Sequence, residues 1–146
     1  METTITHTFS TEHSSCDKIF AQAENLVANK QWAEADTEFT NFHTAMEQHF
    51  SAEEEVLFPT FEERTGHTMG PTQVMRMEHQ QMRDIFAQMQ TSLAGRDDEQ
   101  YLGLSETLLM LMQQHNSKEE QILYPMIDQT FGDEVSSILE RMRANK

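Results

Sequence analysis

At 146 residues the chain is sized for one domain, expected to span 1–146. Its 25 acidic against 10 basic side chains give a net charge of −15, which argues against nucleic acid or an anionic membrane as partner. Cys16 is the single cysteine, the longest apolar run is Leu108 to Met112, and the N-terminus lacks the basic and apolar regions of a signal peptide. Together these point to a cytoplasmic, non-membrane protein.

Apolar residues at helical spacing, punctuated by scarce Gly and Pro, set the elements. Phe20, Ala23 and Val27, in line with His13, predict a helix over about 10–29, closed by a break at Asn29–Gln31. Phe39, Phe42, Met46, His49, Glu53 and Val56 predict a second over about 32–58. Pro59 cannot sit in a helix interior and is expected to end or kink it. Gly70-Pro71 opens a third helix, Pro being favoured at the first helical position, with Met75, His79, Phe86, Met89 and Leu93 on one face. After a break at Gly95–Asp98, Leu102, Leu108, Met112, His115, Glu119 and Ile122 predict a fourth over about 98–124, where Pro125 repeats the role of Pro59. A short helix near 133–143 follows, and no segment alternates with the period of a strand. The fold class is all-α: an up-down-up-down four-helix bundle with an internal twofold hairpin repeat and a short C-terminal helix.

The repeat has an offset of 66 residues. It places His13 on His79, His49 on His115, Glu53 on Glu119 and Pro59 on Pro125, with Glu12-His13 matching Glu78-His79. In an antiparallel hairpin, residues equidistant from the turn share a height. The midpoints of 13 and 49, of 79 and 115, and of 49 and 79 all fall at or beside predicted turns, so the four histidines lie in one layer. His and Glu four apart share a helix face, which brings Glu53 and Glu119 to the same region.

Taken singly, each histidine reads as a hydrogen-bonded core residue. The set does not, because two core-facing glutamates would be buried as unpaired charges at high cost. Metal ions remove that cost by taking carboxylate oxygens and neutral imidazole nitrogens as ligands. Six donors from a twofold repeat divide evenly between two ions: His13 and His49 on one, His79 and His115 on the other, Glu53 and Glu119 bridging.

This constellation resembles the hemerythrin-like, or HHE cation-binding, family over most of residues 10–128. The resemblance is carried by His13, by His49-x3-Glu53 followed by Leu-Phe-Pro59, by Glu78-His79, and by His115-x3-Glu119 followed by Leu-Tyr-Pro125. It implies a bundle around a non-haem di-iron centre that reacts with a small diatomic ligand, O2 or NO. On this chain that means two iron ions, carboxylate-bridged and oxo- or hydroxo-bridged, and a protein that binds or reduces O2, NO or peroxide. Two departures point away from reversible oxygen carriage. Arg83 stands where oxygen-carrying hemerythrins place a further histidine, and His115-x3-Glu119 replaces their His-x4-Asp. The six-ligand pattern is similar to di-iron proteins of iron–sulfur cluster repair under nitrosative or oxidative stress, and to domains that sense iron or oxygen. The sequence leaves open whether the protein is an enzyme and whether it forms a homodimer.

Neighbouring residues divide into site and scaffold. Asp17 and Arg83, equivalent by repeat, lie one turn after a histidine; they are expected either to position ligands (Asp17 even to join them) or to form surface salt bridges. Glu54 and Glu120 are expected to be solvated or behind the ligands, and Cys16 and the methionines to fill the core. His7, His43 and His67 have no partner in the repeat. Segments 1–9, 60–71 and 129–146 are expected to crowd the bundle end nearest the site and gate it.

Overall fold

A computed structural model describes residues 3–144. The first helix, α1, spans Ile5–Ala28, earlier than apolar periodicity suggests. Two capping contacts extend it. Thr4 Oγ1 accepts the His7 N–H, and the Asp128 carboxylate, far along the chain, accepts those of Ile5 at 2.7 Å and Thr6 at 3.1 Å. α2 spans Trp32–Ala52, α4 Pro71–Ala94 and α5 Asp98–Lys118.

Pro59 and Pro125 do not end their helices. α2 passes through a π turn, Glu53–Leu57, into α3, Phe58–Thr65; α5 passes through a second, Glu119–Leu123, into α6, Tyr124–Phe131. The Phe58 N–H reaches the Glu53 carbonyl and the Tyr124 N–H the Glu119 carbonyl, each five residues back. The widened turn sits directly before the proline, so each proline falls in the first turn of a new α-helical segment, where its missing N–H costs nothing. A single turn of 3-10 helix, Gly132–Glu134, leads into α7, Val135–Ala144.

The repeat extends to the backbone. Lys30 and Arg96, 66 residues apart, both take positive φ (57° and 55°) at the hairpin turns, while Gly95 keeps φ −84°. The Lys30 and Arg96 N–H groups bond Val27 and Leu93, and the next residues bond Leu26 and Ser92. Gly66 and Gly132, again 66 apart, close α3 and α6 at positive φ.

α1 packs on α2, α2 on α4, α4 on α5, and α5 back on α1, closing a four-helix bundle; among the described residues there is no strand. Its apolar interior falls into two clusters. One, toward the hairpin turns, holds Phe20, Phe39, Phe42, Phe86, Leu108 and Met112. The other, where α3, α6 and α7 gather, holds Ile5, Phe9, Leu57, Phe61, Ile127 and Leu139. The histidine layer lies between them along every helix: His13 follows Phe9 and precedes Cys16, and His79 follows Met75 and precedes Met82. Among the described residues, no helix is long and apolar enough to cross a membrane.

Candidate metal centre

All six residues singled out by the repeat converge and are buried: His13 at 5% exposure, His49 at 3%, His115 at 2%, and Glu53, His79 and Glu119 at 0%. His13 Nε2 lies 3.1 Å from His49 Nε2. Each glutamate reaches a histidine of both hairpins. Glu119 Oε1 is 3.2 Å from His13 Nε2 and 3.1 Å from His115 Nε2; Glu53 Oε1 is 3.5 Å from His49 Nε2 and 3.1 Å from His79 Nε2. Donor atoms of Glu53, His79, His115 and Glu119 form one tight group, and those of His13, His49 and Glu119 a second.

The ring orientations are set from outside. Each Nδ1 meets a carboxylate: His13 on Glu120 at 2.6 Å, His49 on Glu12 at 2.8 Å, His79 on Glu54 at 2.7 Å, His115 on Glu78 at 2.8 Å. A carboxylate only accepts, so each Nδ1 carries the hydrogen and each neutral ring turns its Nε2 lone pair inward, the arrangement metal-binding imidazoles use. Glu54 and Glu120 thus stand behind the ligand-type residues. Glu12 and Glu78 were missed as contributors, although Glu-His is one of the repeated motifs. A carboxylate beside an inward histidine lies about 100° round the helix and so faces the neighbouring helix.

The fit to cations rests on what remains unsatisfied. Glu53 Oε1, Glu119 Oε2, His79 Nε2 and His115 Nε2 are buried without a hydrogen-bond partner. His79 Nε2 and Glu53 Oε1 are near each other but not aligned as donor and acceptor. A separation of about 3 Å is the edge spanned by two ligands each about 2.1 Å from one ion at right angles. Four orphaned donors in an apolar interior would be costly without an ion.

The electrostatics of the metal-free site agree. Burial raises Glu53, reinforced by the charge on Glu119. Burial would also raise Glu119, but charged His115 and hydrogen bonds hold it well below the usual carboxylate range. Burial would lower His115, yet Glu119 and Glu78 push it up to about 10. Protons thus stand in where positive ions are called for.

Tyr124 is a further site residue that sequence reasoning missed. Its buried hydroxyl donates toward Glu53 Oε2 at 2.7 Å and Glu119 Oε1 at 2.9 Å, and lies 3.3 Å from His13 Nε2. On a regular α-helix residue 124 would sit about 140° round from 119. The π turn brings residues five apart onto one side.

Arg83 joins both expected roles. Its guanidinium makes two 3.0 Å bonds to Glu54, the carboxylate that holds His79, and also bonds Glu47. Asp17 does not join either donor group and is exposed; what desolvation it has raises its carboxyl, opposed by charged His13 and aided by Glu120. Cys16 is buried in the core cluster. His7, His43 and His67 lie outside the site, His43 packing on Phe39 and Phe86. At the bundle end, the Phe9 ring lies 5.1 Å from that of His49 and 5.2 Å from that of Tyr124. Of the segments expected to crowd that end, residues 1–2 and 145–146 fall outside those described.

A four-helix bundle with a buried, pseudo-symmetric His/Glu cluster defines a class of helical cation-binding proteins. The chain belongs to the hemerythrin family: the model of the hemerythrin HHE cation binding domain matches residues 4–127. No curated protein and no solved structure matches it.

Proposed function

We propose that the chain is a di-iron protein that binds or reduces a small oxidant: O2, NO or peroxide. His13 and His49 would hold one iron and His79 and His115 the other, with Glu53 and Glu119 shared between them. The observation that carries the reading is the set of inward-turned, unsatisfied imidazole and carboxylate atoms in a layer sealed by apolar residues on both sides. Bound iron would supply redox equivalents and Lewis acidity.

The protein's own groups do the rest. Glu12, Glu54, Glu78 and Glu120 fix the imidazole tautomers. The Tyr124 hydroxyl keeps a proton beside the shared carboxylates; burial and those carboxylates raise its pKa well above normal, so it remains a donor. Phe9, Leu57 and Phe58, all buried, limit access to small molecules. Because His115 holds its proton up to about pH 10 in the metal-free protein, metal loading releases protons and tightens as pH rises.

The test is anaerobic iron loading followed by separate addition of O2 and NO. Iron near two per chain and a visible charge-transfer band that responds to either ligand is the expected result. A colourless protein holding one tightly bound zinc would overturn the reading.

A further inference from the structure

The hairpins carry equivalent outer grooves, and only one is filled. α7 covers the groove of the first hairpin. Leu139, Met142 and Arg143 close a cleft formed by Thr8, Glu12 and Ala52, Val56 is buried in the same apolar cluster as Leu139 and Met142, and Arg141 donates to Thr60. The repeat places a matching groove between α4 and the second π turn, where Lys118 bonds Glu78 across the two walls. A cleft of Gln113, Gln114, Ser117, Lys118, Gln121 and Ile122 lies along it, at positions equivalent to those beneath Met142. No described helix covers it.

The side chains have changed to suit. Val74, Met77, Met110 and Met126 stand where the first hairpin has Thr8, Thr11, Thr44 and Thr60. Ile122 is 56% exposed, whereas its equivalent Val56 is 8% exposed. Among the described residues, six of the seven exposed large hydrophobic residues, Leu109 included, fall in the second hairpin, and the seventh, Met69, lies just ahead of it. Gln113 and Gln121 replace Glu47 and Glu55, so the one charged residue lining the cleft is Lys118, already bonded to Glu78, on a chain of net charge −15. Exposed apolar side chains beside a polar-lined cleft mark an interaction site, and methionine adapts readily to a partner's shape.

We propose that this groove docks an amphipathic helix of a partner protein with the chemistry of α7: apolar residues at i, i+3, i+4 and i+7, and basic flanks. In α7 those positions are Val135, Ile138, Leu139 and Met142, flanked by Arg141 and Arg143. The filled groove shows which kind of element fits. The chain's negative charge draws a basic helix and disfavours a second copy. Each chain's own α7 is already buried in its own groove.

The test titrates an end-capped synthetic peptide of residues 135–144, whose two arginines outweigh its one glutamate, into the full-length protein and follows backbone amide shifts. Saturable binding with shifts confined to about 74–78 and 113–126 is expected, and Ile122→Glu, at an exposed position, weakens it roughly tenfold or more by burying an unpaired charge. Absence of binding, shifts at 47–60 from displacement of α7, or an undiminished affinity in Ile122→Glu would overturn the proposal. So would a concentration-dependent dimer that Ile122→Glu dissolves, which would make the occupant a second copy.

Discussion

The two hairpins share a backbone to the residue, down to the π turns and the positive-φ turn residues, yet differ in what surrounds their histidines. The second hairpin's histidines have both orienting carboxylates anchored: Arg83 grips Glu54, which comes from the first hairpin and holds His79, and Lys118 grips Glu78, which holds His115. In the first, Asp17 stands at the position of Arg83 and Ala52 at that of Lys118. At the position where the second half carries Tyr124 the first carries Phe58, which has no hydroxyl. What the chemistry requires, four inward Nε2 atoms, is preserved in both halves, and the periphery has diverged. The halves share their backbone geometry and differ in charge at the positions of Arg83 and Lys118.

The largest break in the symmetry comes from the glutamates. Glu119 belongs to both donor groups, Glu53 only to that of His79 and His115. With two ions bound as proposed, Glu119→Ala is therefore expected to weaken both, whereas Glu53→Ala, whose carboxylate lies closer to His79 than to His49, weakens chiefly the ion of His79 and His115. Metal analysis after anaerobic loading distinguishes them, and equal losses would show that the carboxylates are interchangeable.

Next is the anchoring of one half. Arg83→Ala frees Glu54 and loosens His79, and a lost second-sphere contact typically weakens metal binding about 10- to 100-fold. Competition with a chelator should then become biphasic, one ion weakened and the other unchanged. Asp17→Ala, which removes a charge near His13 but no hydrogen bond to it, should leave both affinities within about threefold. Parallel weakening of both ions by Arg83→Ala would mean that the halves do not load independently.

Tyr124→Phe makes the halves alike at that position. It leaves two buried carboxylates short of a donor, a loss of about 1–3 kcal/mol in the metal-free protein, read by urea denaturation. Iron loading should shrink that cost, because the same oxygens then have ions to face. An equal cost with and without metal would place the hydroxyl's role in the scaffold.

How much of this could be read from the chain differs by interaction range. The helices and the six-residue layer were legible because they rest on local periodicity and on a repeat whose midpoints fall at turns. The early start of α1 was not, since Asp128 caps it from the far end of the sequence. The π turns hid Tyr124 by changing the angular spacing on which face assignments depend, and they let both helices run through Pro59 and Pro125. Glu12 and Glu78 were visible as repeated letters but point across helix boundaries, which periodicity along one helix does not address.

The smallest effect is a pH dependence confined to the anchored half. Burial alone would raise the Glu54 carboxyl; hydrogen bonds from His79 and Arg83 overcome this and hold it at about 2, below its ordinary 4.5. A depressed carboxylate pKa stabilises the fold above the unfolded value, and that stability fades as pH falls from about 4.5 through about 2. Glu54→Gln removes this contribution. The metal-free variant should therefore be less stable than the parent near neutrality, with the gap in urea midpoint closing across that acid range. Glu54 is only half-buried, so solvent screening keeps the gap modest. A gap that stays constant with pH would mean that Glu54 acts through packing and hydrogen-bond geometry, leaving the charge difference between the two hairpins without a thermodynamic consequence.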